Sequence, residues 1–160
     1  MLSRRLVPCL ILAALVFGPP TAAADDEAAL REAIARYERA WNQRDVAAWK
    51  DLVTADLLYE ETFTASLLES RKINTREKAQ PVFEMSARDF SFEWVPLRIL
   101  SKPDGSATAV MRIVQTAGTS TFETNPAIAR WRVEEGRWKL YHYVTHKPHA
   151  REIVRAEGLQ

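Results

Sequence analysis

The pattern of apolar and polar positions is clearest between Ala28 and Phe63. Leu30, Ile34, Tyr37 and Trp41 recur at spacings of four, three and four residues, which puts them on one helical face. Glu32, Arg36 and Arg39 fall on the other face, and the small Ala33 and Ala40 flank the stripe, allowing close approach of a sheet. Asn42-Gln43-Arg44 breaks the period. Asp45 then reads as an N-cap, because its carboxylate can accept the free N–H groups of a new first turn. Val46, Trp49, Leu52 and Val53 form the apolar face of a second, shorter helix, and Thr54-Ala55-Asp56 ends it. Alternation over Leu57–Phe63 predicts a strand, with Leu57, Tyr59 and Glu61 on one face and Leu58, Glu60 and Thr62 on the other.

Thr64–Lys72 is polar and mixed and reads as a loop or short helical turn, with Leu67 and Leu68 suited to a lid. Asn74-Thr75-Arg76-Glu77 resembles a capping box, Asn74 as cap and Glu77 reaching back. A helix is predicted from there to about Arg88, kinked or delayed by Pro81. From Asp89 the period becomes two. Phe90, Phe92 and Trp94 share one face of a strand, Val95, Leu97 and Ile99 the other, and Pro96 marks an edge position or a bulge. Turns at Lys102–Gly105, Ala117–Thr119 and Glu134–Gly136 separate strands over Ala107–Thr116, Phe122–Val133 (interrupted at Asn125-Pro126) and Arg137–His146. On the last strand Trp138, Leu140, His142, Val144 and His146 fall on one face, and Lys139, Tyr141, Tyr143 and Thr145 on the other. The tail from Pro148 is charged and reads as a short surface helix. Several strands are apolar on both faces, so the sheet face away from the helices needs a cover; a second subunit, making a homodimer, is the simplest one.

Length changes the picture little: 160 residues suggest one domain. The N-terminus changes it more. Arg4 and Arg5, the apolar run Leu6–Phe17 and Ala22-Ala23-Ala24 make residues 1–24 read as a cleaved secretory signal. This leaves a domain over 25–150 and a tail over 151–160, with a periplasmic or secreted location. Cys9, the only cysteine, would leave with the signal, so neither a disulfide nor thiol chemistry is expected. The remaining 20 basic and 21 acidic residues balance, which gives no field suited to nucleic acid. No run in the mature chain is long enough to span a bilayer.

Candidate chemistry rests on few residues. Leu57 and Tyr59 suggest that Glu61 shares an inner face, where poor solvation would raise a carboxyl pKa and suit it to general-base work; a strand-end position reaching water is the alternative. Tyr37 reads either as a hydroxyl donor or as a core aromatic. Arg112 could pair with Glu61 or clamp an anion. His142 reads as an acid or as a buried core histidine. His142 and His146 would lie about 13 Å apart at ~3.3 Å per residue, too far for a shared metal, and no metal or cofactor is expected. Gly-rich phosphate loops, paired-cysteine motifs and nucleophile elbows are missing from the sequence.

Helices first, then an antiparallel meander closing on Gly136-Arg137-Trp138-Lys139-Leu140, resemble the NTF2-like superfamily, and within it SnoaL-like and DUF4440-type domains. The resemblance covers nearly all of the mature chain and is most specific in AIARYERAWNQRD (Ala33–Asp45) and the closing EEGRWKLYHYVTH. It implies an α+β cone, with N-terminal helices packed in a curved antiparallel sheet around a pocket and dimers formed through the outer sheet face. Ketosteroid isomerases within the superfamily carry a tyrosine on the first helix and a catalytic aspartate at the end of the first strand. Aligned without gaps, those roles fall on Tyr37 and Glu61. Their second oxyanion donor, an aspartic acid, corresponds to a region reading Ile128-Ala129 here, and Arg44 replaces a glycine common at the helix break. The pocket expected from the resemblance involves Glu61, Tyr37 and His142 as reacting groups, with Trp41, Tyr59, Arg112 and Trp138 as ligand contacts. The leading expectation is a module that binds a small, largely apolar ligand. The alternatives are a cofactor-free isomerase or dehydratase, and a structural dimerisation domain with Trp41, Trp94 and Trp138 filling the cone.

Overall fold

The computed structural model describes residues 22–62 and 70–159. The expected signal, apart from Ala22–Ala24, and the expected lid at Leu67 and Leu68 lie outside the described residues. Two helices lead: α1 (Ala22–Gln43) and α2 (Val46–Leu52). Strand β1 (Val53–Thr62), strand β2 (Ser70–Ile73) and helix α3 (Arg76–Asp89) follow. A meander of β3 (Ser91–Ser101), β4 (Ser106–Ala117), β5 (Ser120–Glu134) and β6 (Arg137–Val144) leads to α4 (Lys147–Ala156).

Local chemistry sets the breaks. Asp45 caps α2 as expected, its Oδ1 accepting the Ala48 N–H at 2.9 Å. Arg44, in the break itself, holds a φ of 59°, the left-handed region that favours glycine. Its side chain offsets that strain, since the guanidinium donates to the carbonyls of Ala87 and Arg88 at 3.2 and 3.0 Å, at the end of α3. The cap of α3 is Thr75, whose hydroxyl accepts the Lys78 N–H, one residue later than the expected Asn74. Glu135 and Gly136 both have positive φ, the two-residue hairpin geometry that a glycine at the second position permits.

The sheet runs β2-β1-β6-β5-β4-β3. The meander is antiparallel as expected, but β1 lies parallel to β6, so the sheet is mixed. The expected loop at 64–72 gives way, in its described part, to β2 paired antiparallel with β1. Bulges punctuate β1, β3, β5 and β6, and they curve the sheet around the helices. On β3 the irregularity sits at Pro96, and β3 is also the sheet edge, so both readings of that proline hold.

Packing follows the α1 stripe. Leu30, Ile34, Tyr37 and Trp41 are buried against the concave face of the sheet. Opposite them β4 and β5 present Ala107, Ala109, Ala127 and Ala129, small residues that make room for the large rings of Tyr37, Trp49 and Trp131. The end of α1 is tied to the edge strand. Asn42 Nδ2 donates to the Phe92 carbonyl and Asn42 Oδ1 accepts the Phe92 N–H, both at 2.8 Å. Glu38 Oε2 accepts the Trp94 N–H at 2.8 Å. These bonds satisfy edge-strand groups that would otherwise stand unpaired. On the convex face α4 buries Ala150 and Ile153, with Leu159 beyond it, against Val110, Ile128 and Val144. Part of the apolar face for which a second subunit was expected is thus covered by the chain's own tail.

Candidate functional site

A cavity of about 640 Å³ opens between α3, the concave sheet face and the start of α4. Its floor is aromatic: Trp41 from α1, Phe92 and Trp94 from β3, and Tyr143 from β6. Trp94 stacks on Tyr143 with ring centroids 5.0 Å apart and planes at 18°. Val82, Met85 and Ser86 of α3, with Phe90, form one wall; Tyr59 and Glu61 of β1 form another. Arg71, Lys147 and Arg151 complete the mouth. The buried indole N–H of Trp94 meets no acceptor among the described residues.

Of the expected site residues, the structure brings Trp41, Tyr59 and Glu61 to this cavity. Glu61 is paired, but with Arg71 of β2 and not with Arg112. The pair is partly exposed, at 23% for the Glu61 side chain and 43% for Arg71. Tyr59 lies beside it. Burial lifts the Tyr59 hydroxyl well above its ordinary pKa, and Tyr143, Glu61 and Tyr37 push the same way, so it stays a neutral hydrogen-bonding group.

Tyr37 does not line the cavity. It is 1% exposed, inside the core, where its oxygen accepts the Trp49 indole N–H at 3.3 Å. Burial pushes its hydroxyl up to about 12, against the neighbouring indole N–H groups, with Trp49 hydrogen-bonded to it, that act the other way. Trp41, Trp94 and Trp131 surround its ring, at centroid distances of 4.6 to 6.2 Å. Replacing Tyr37 by phenylalanine is expected to strand the Trp49 donor and cost about 1 kcal/mol in denaturant unfolding. Occupancy of the cavity should stay within twofold of the parent, and a loss of affinity above tenfold would instead place this hydroxyl at the ligand.

His142 faces away from the cavity. The β6 bulge, opposite the Arg130–Trp131 step of β5, leaves one extra residue between Leu140 and His142. Trp138 and Leu140 therefore point into the core as expected, but past the bulge Tyr143 points in, while His142 and Val144 point out. On the convex face His142 joins a polar cluster centred on Glu60, which is 2% exposed. His149 Nδ1 donates to Glu60 Oε1 at 2.7 Å, Lys72 Nζ lies 3.3 Å from Oε2, and His146 Nδ1 lies 3.9 Å from Oε1. Burial acts to raise the Glu60 carboxyl; the hydrogen bond and charge of His149, with Lys72, outweigh it and hold the carboxyl below its ordinary value. No group of three or more His, Cys, Asp or Glu side chains among the described residues is arranged to hold a metal ion.

Arg112 sits between the inward-facing Met111 and Ile113 and so projects from the convex face. Trp138 lines a separate, smaller hollow with Arg36, Asp51 and Gly136, at the far end of α1. The sequence reading missed Arg71, Lys147 and Arg151 at the mouth and Tyr143 in the floor. Arg71 and Arg151 belong to segments read as loop and surface tail, and Lys147 falls between the last strand and that tail. Tyr143 needed the bulge, which leaves no trace in a run of β-forming residues.

The SnoaL-like domain family matches the chain over residues 34–141. No curated protein matches it. Among solved structures, an NTF2-like protein of unknown function from Pseudomonas putida superposes with a TM-score of 0.62 at 17% identity, covering 77% of this chain and 86% of that one. A second NTF2-like protein of unknown function, from Shewanella oneidensis, gives 0.61 at 14% identity, over 76% and 97% of the two chains. A protein of unknown function from Mycobacterium tuberculosis gives 0.62 at 19% identity, over 81% and 75%. At these identities the likeness carries the fold alone. With more than half of its length matched, the chain belongs to the SnoaL-like domain family of the NTF2-like superfamily.

Proposed function

We propose that this protein binds a small, largely apolar ligand in the cavity between α3 and the sheet, as an exported domain. The observation that carries this reading is the cavity itself. Its volume of about 640 Å³ falls within the usual range for small-ligand sites. Its floor is a stack of aromatic rings that includes Trp94, whose buried indole N–H meets no acceptor among the described residues. The rings of Tyr37, Trp41, Trp94 and Trp131 fill the base of the cone, yet the cavity stays open beside them. Export rests on the signal-like pattern of residues 1–24.

The isomerase or dehydratase alternative is supported by Glu61 in the cavity wall. It is weakened by the separation of its three groups: Glu61 is ion-paired, Tyr37 lies under the floor, and His142 is on the opposite face of the sheet. A homodimer would use the part of the convex face that α4 leaves uncovered.

Filling the cavity tests the binding reading. Ser86 of α3 lines it, and Ser86→Trp places a bulky ring there. Titration with the neutral fluorophore phenylnaphthylamine should give saturable one-site binding to the parent and none to Ser86→Trp, with the thermal midpoint of the variant retained. Equal binding by both proteins would overturn the assignment of the cavity.

A further inference from the structure

We infer that the ligand taken by this cavity is an anionic amphiphile: an apolar, flat or single-chain body with one carboxylate- or sulfonate-type head held at the mouth by Lys147 and Arg151. This deepens the binding reading and rests on it. Charge at the cavity mouth points to it. Among the described residues the lining carries four ionic groups, Glu61, Arg71, Lys147 and Arg151. Glu61 and Arg71 neutralise each other as an ion pair. Lys147 and Arg151, one turn apart at the start of α4, have no ion pair or hydrogen bond through their side chains among the described residues. No acidic residue lies in the first turn of that helix to offset them. Two cations that meet no carboxylate among the described residues therefore stand at the exposed side of a cavity whose deep side is aromatic. An uncharged guest would leave them unused, and a cationic one would be repelled.

The fold makes this combination. Helix α4 is anchored on the convex face by Ala150, Ile153 and Leu159, and by Glu157, which accepts from Arg130 and Lys102 at 2.6 and 3.1 Å. With its apolar side held there, the first turn is carried around to the cavity rim, where Lys147, Pro148 and Arg151 enter the lining. Arg71 is steadied by Glu61 on the neighbouring strand and adds a third donor group that can share the anion without losing its partner.

Two fluorescent probes of nearly the same shape test the inference on the full chain: anilinonaphthalene sulfonate, which is anionic, and its uncharged parent phenylnaphthylamine. Exposed ion pairs of this kind are each worth a few-fold in affinity, so the sulfonated probe should bind about tenfold more tightly at low salt. That advantage should shrink as sodium chloride is raised. In Lys147→Ala/Arg151→Ala the ratio of the two affinities should fall severalfold, toward one. Ser86→Trp should abolish binding of both, which locates them in the cavity. Equal affinities in the parent would overturn the anionic assignment and leave the cavity reading standing. A sulfonate preference that survives the double substitution would overturn the roles of Lys147 and Arg151. Failure of both probes to saturate would remove the binding reading and this inference together.

Discussion

Trp131→Ala is expected to cost about 4 kcal/mol, a large share of what a domain of this size commands. Trp131 is 0% exposed, on a central strand, paired in register with Leu140 on one side and Ala107 on the other. Its ring meets that of Tyr37 edge-on, at 5.9 Å and 85°. The cost has two parts: the lost transfer energy of the indole, and the hollow left behind. The second part should be near its maximum, because nothing nearby can move in. Ala107 across the ladder and Ala129 along the strand are too short to fill it, the backbone is held by ladders on both sides, and Tyr37 is tied to Trp49. The indole N–H has no partner among the described residues to be orphaned, so the loss reports packing. Urea unfolding of parent and variant, with the slope compared as well as the midpoint, measures it. A loss under about 2 kcal/mol would show that the cone collapses around the hollow, and the rigid-floor picture of the cavity would then fail.

Acidification should weaken the fold through His142, and His142→Leu should remove most of that weakness. His142 is 7% exposed, and its imidazole is pushed down from 6.5 to about 4. Burial is the main cause; the Arg130 guanidinium, His149 and Lys72 act with it, and the Glu60 carboxylate acts against it. Between these two values the unfolded chain binds a proton that the folded chain does not, so stability rises with pH across the window and falls as acid is added. The expected loss relative to His142→Leu is about 2 kcal/mol at pH 5 and about 3 kcal/mol at pH 4. Glu60 adds a second, lower step. Its carboxyl is held below its ordinary value, so its contribution is present above that value and is lost as pH falls through the folded one. Stability measured at closely spaced pH values down to 5 isolates the histidine. Parallel profiles for the two proteins would mean that His142 takes up protons freely in the folded state, with water reaching the cluster under α4.

Much of the fold was legible from the sequence because it rests on local rules. The α1 stripe, the Asp45 cap, the turns at Lys102–Gly105 and Glu134–Gly136 and the four-strand meander each follow from periodicity or turn chemistry within a few residues. The motif at Ala33–Asp45 and the closing hairpin were enough to name the family that the comparison then matched. Pro96 was readable in the same way, since an imide without an N–H belongs at an edge or a bulge wherever the strand lies.

The site was decided elsewhere, by long-range pairing. One extra residue in β6 exchanged the faces of every side chain after Leu140, sending His142 to the convex side and bringing Tyr143 into the cavity. The partner of Glu61 depended on β2 lying beside β1, a contact within a segment that reads as loop. Lys147 and Arg151 became cavity residues only because α4 packs across the convex face and presents its first turn at the rim. Composition and period determine which residues are buried and which local elements form, since burial and hydrogen bonding act within a turn or along a strand. Which buried face meets which, and so which charges converge on one cavity, depends on sheet register and helix docking, and those are settled only when the whole chain packs.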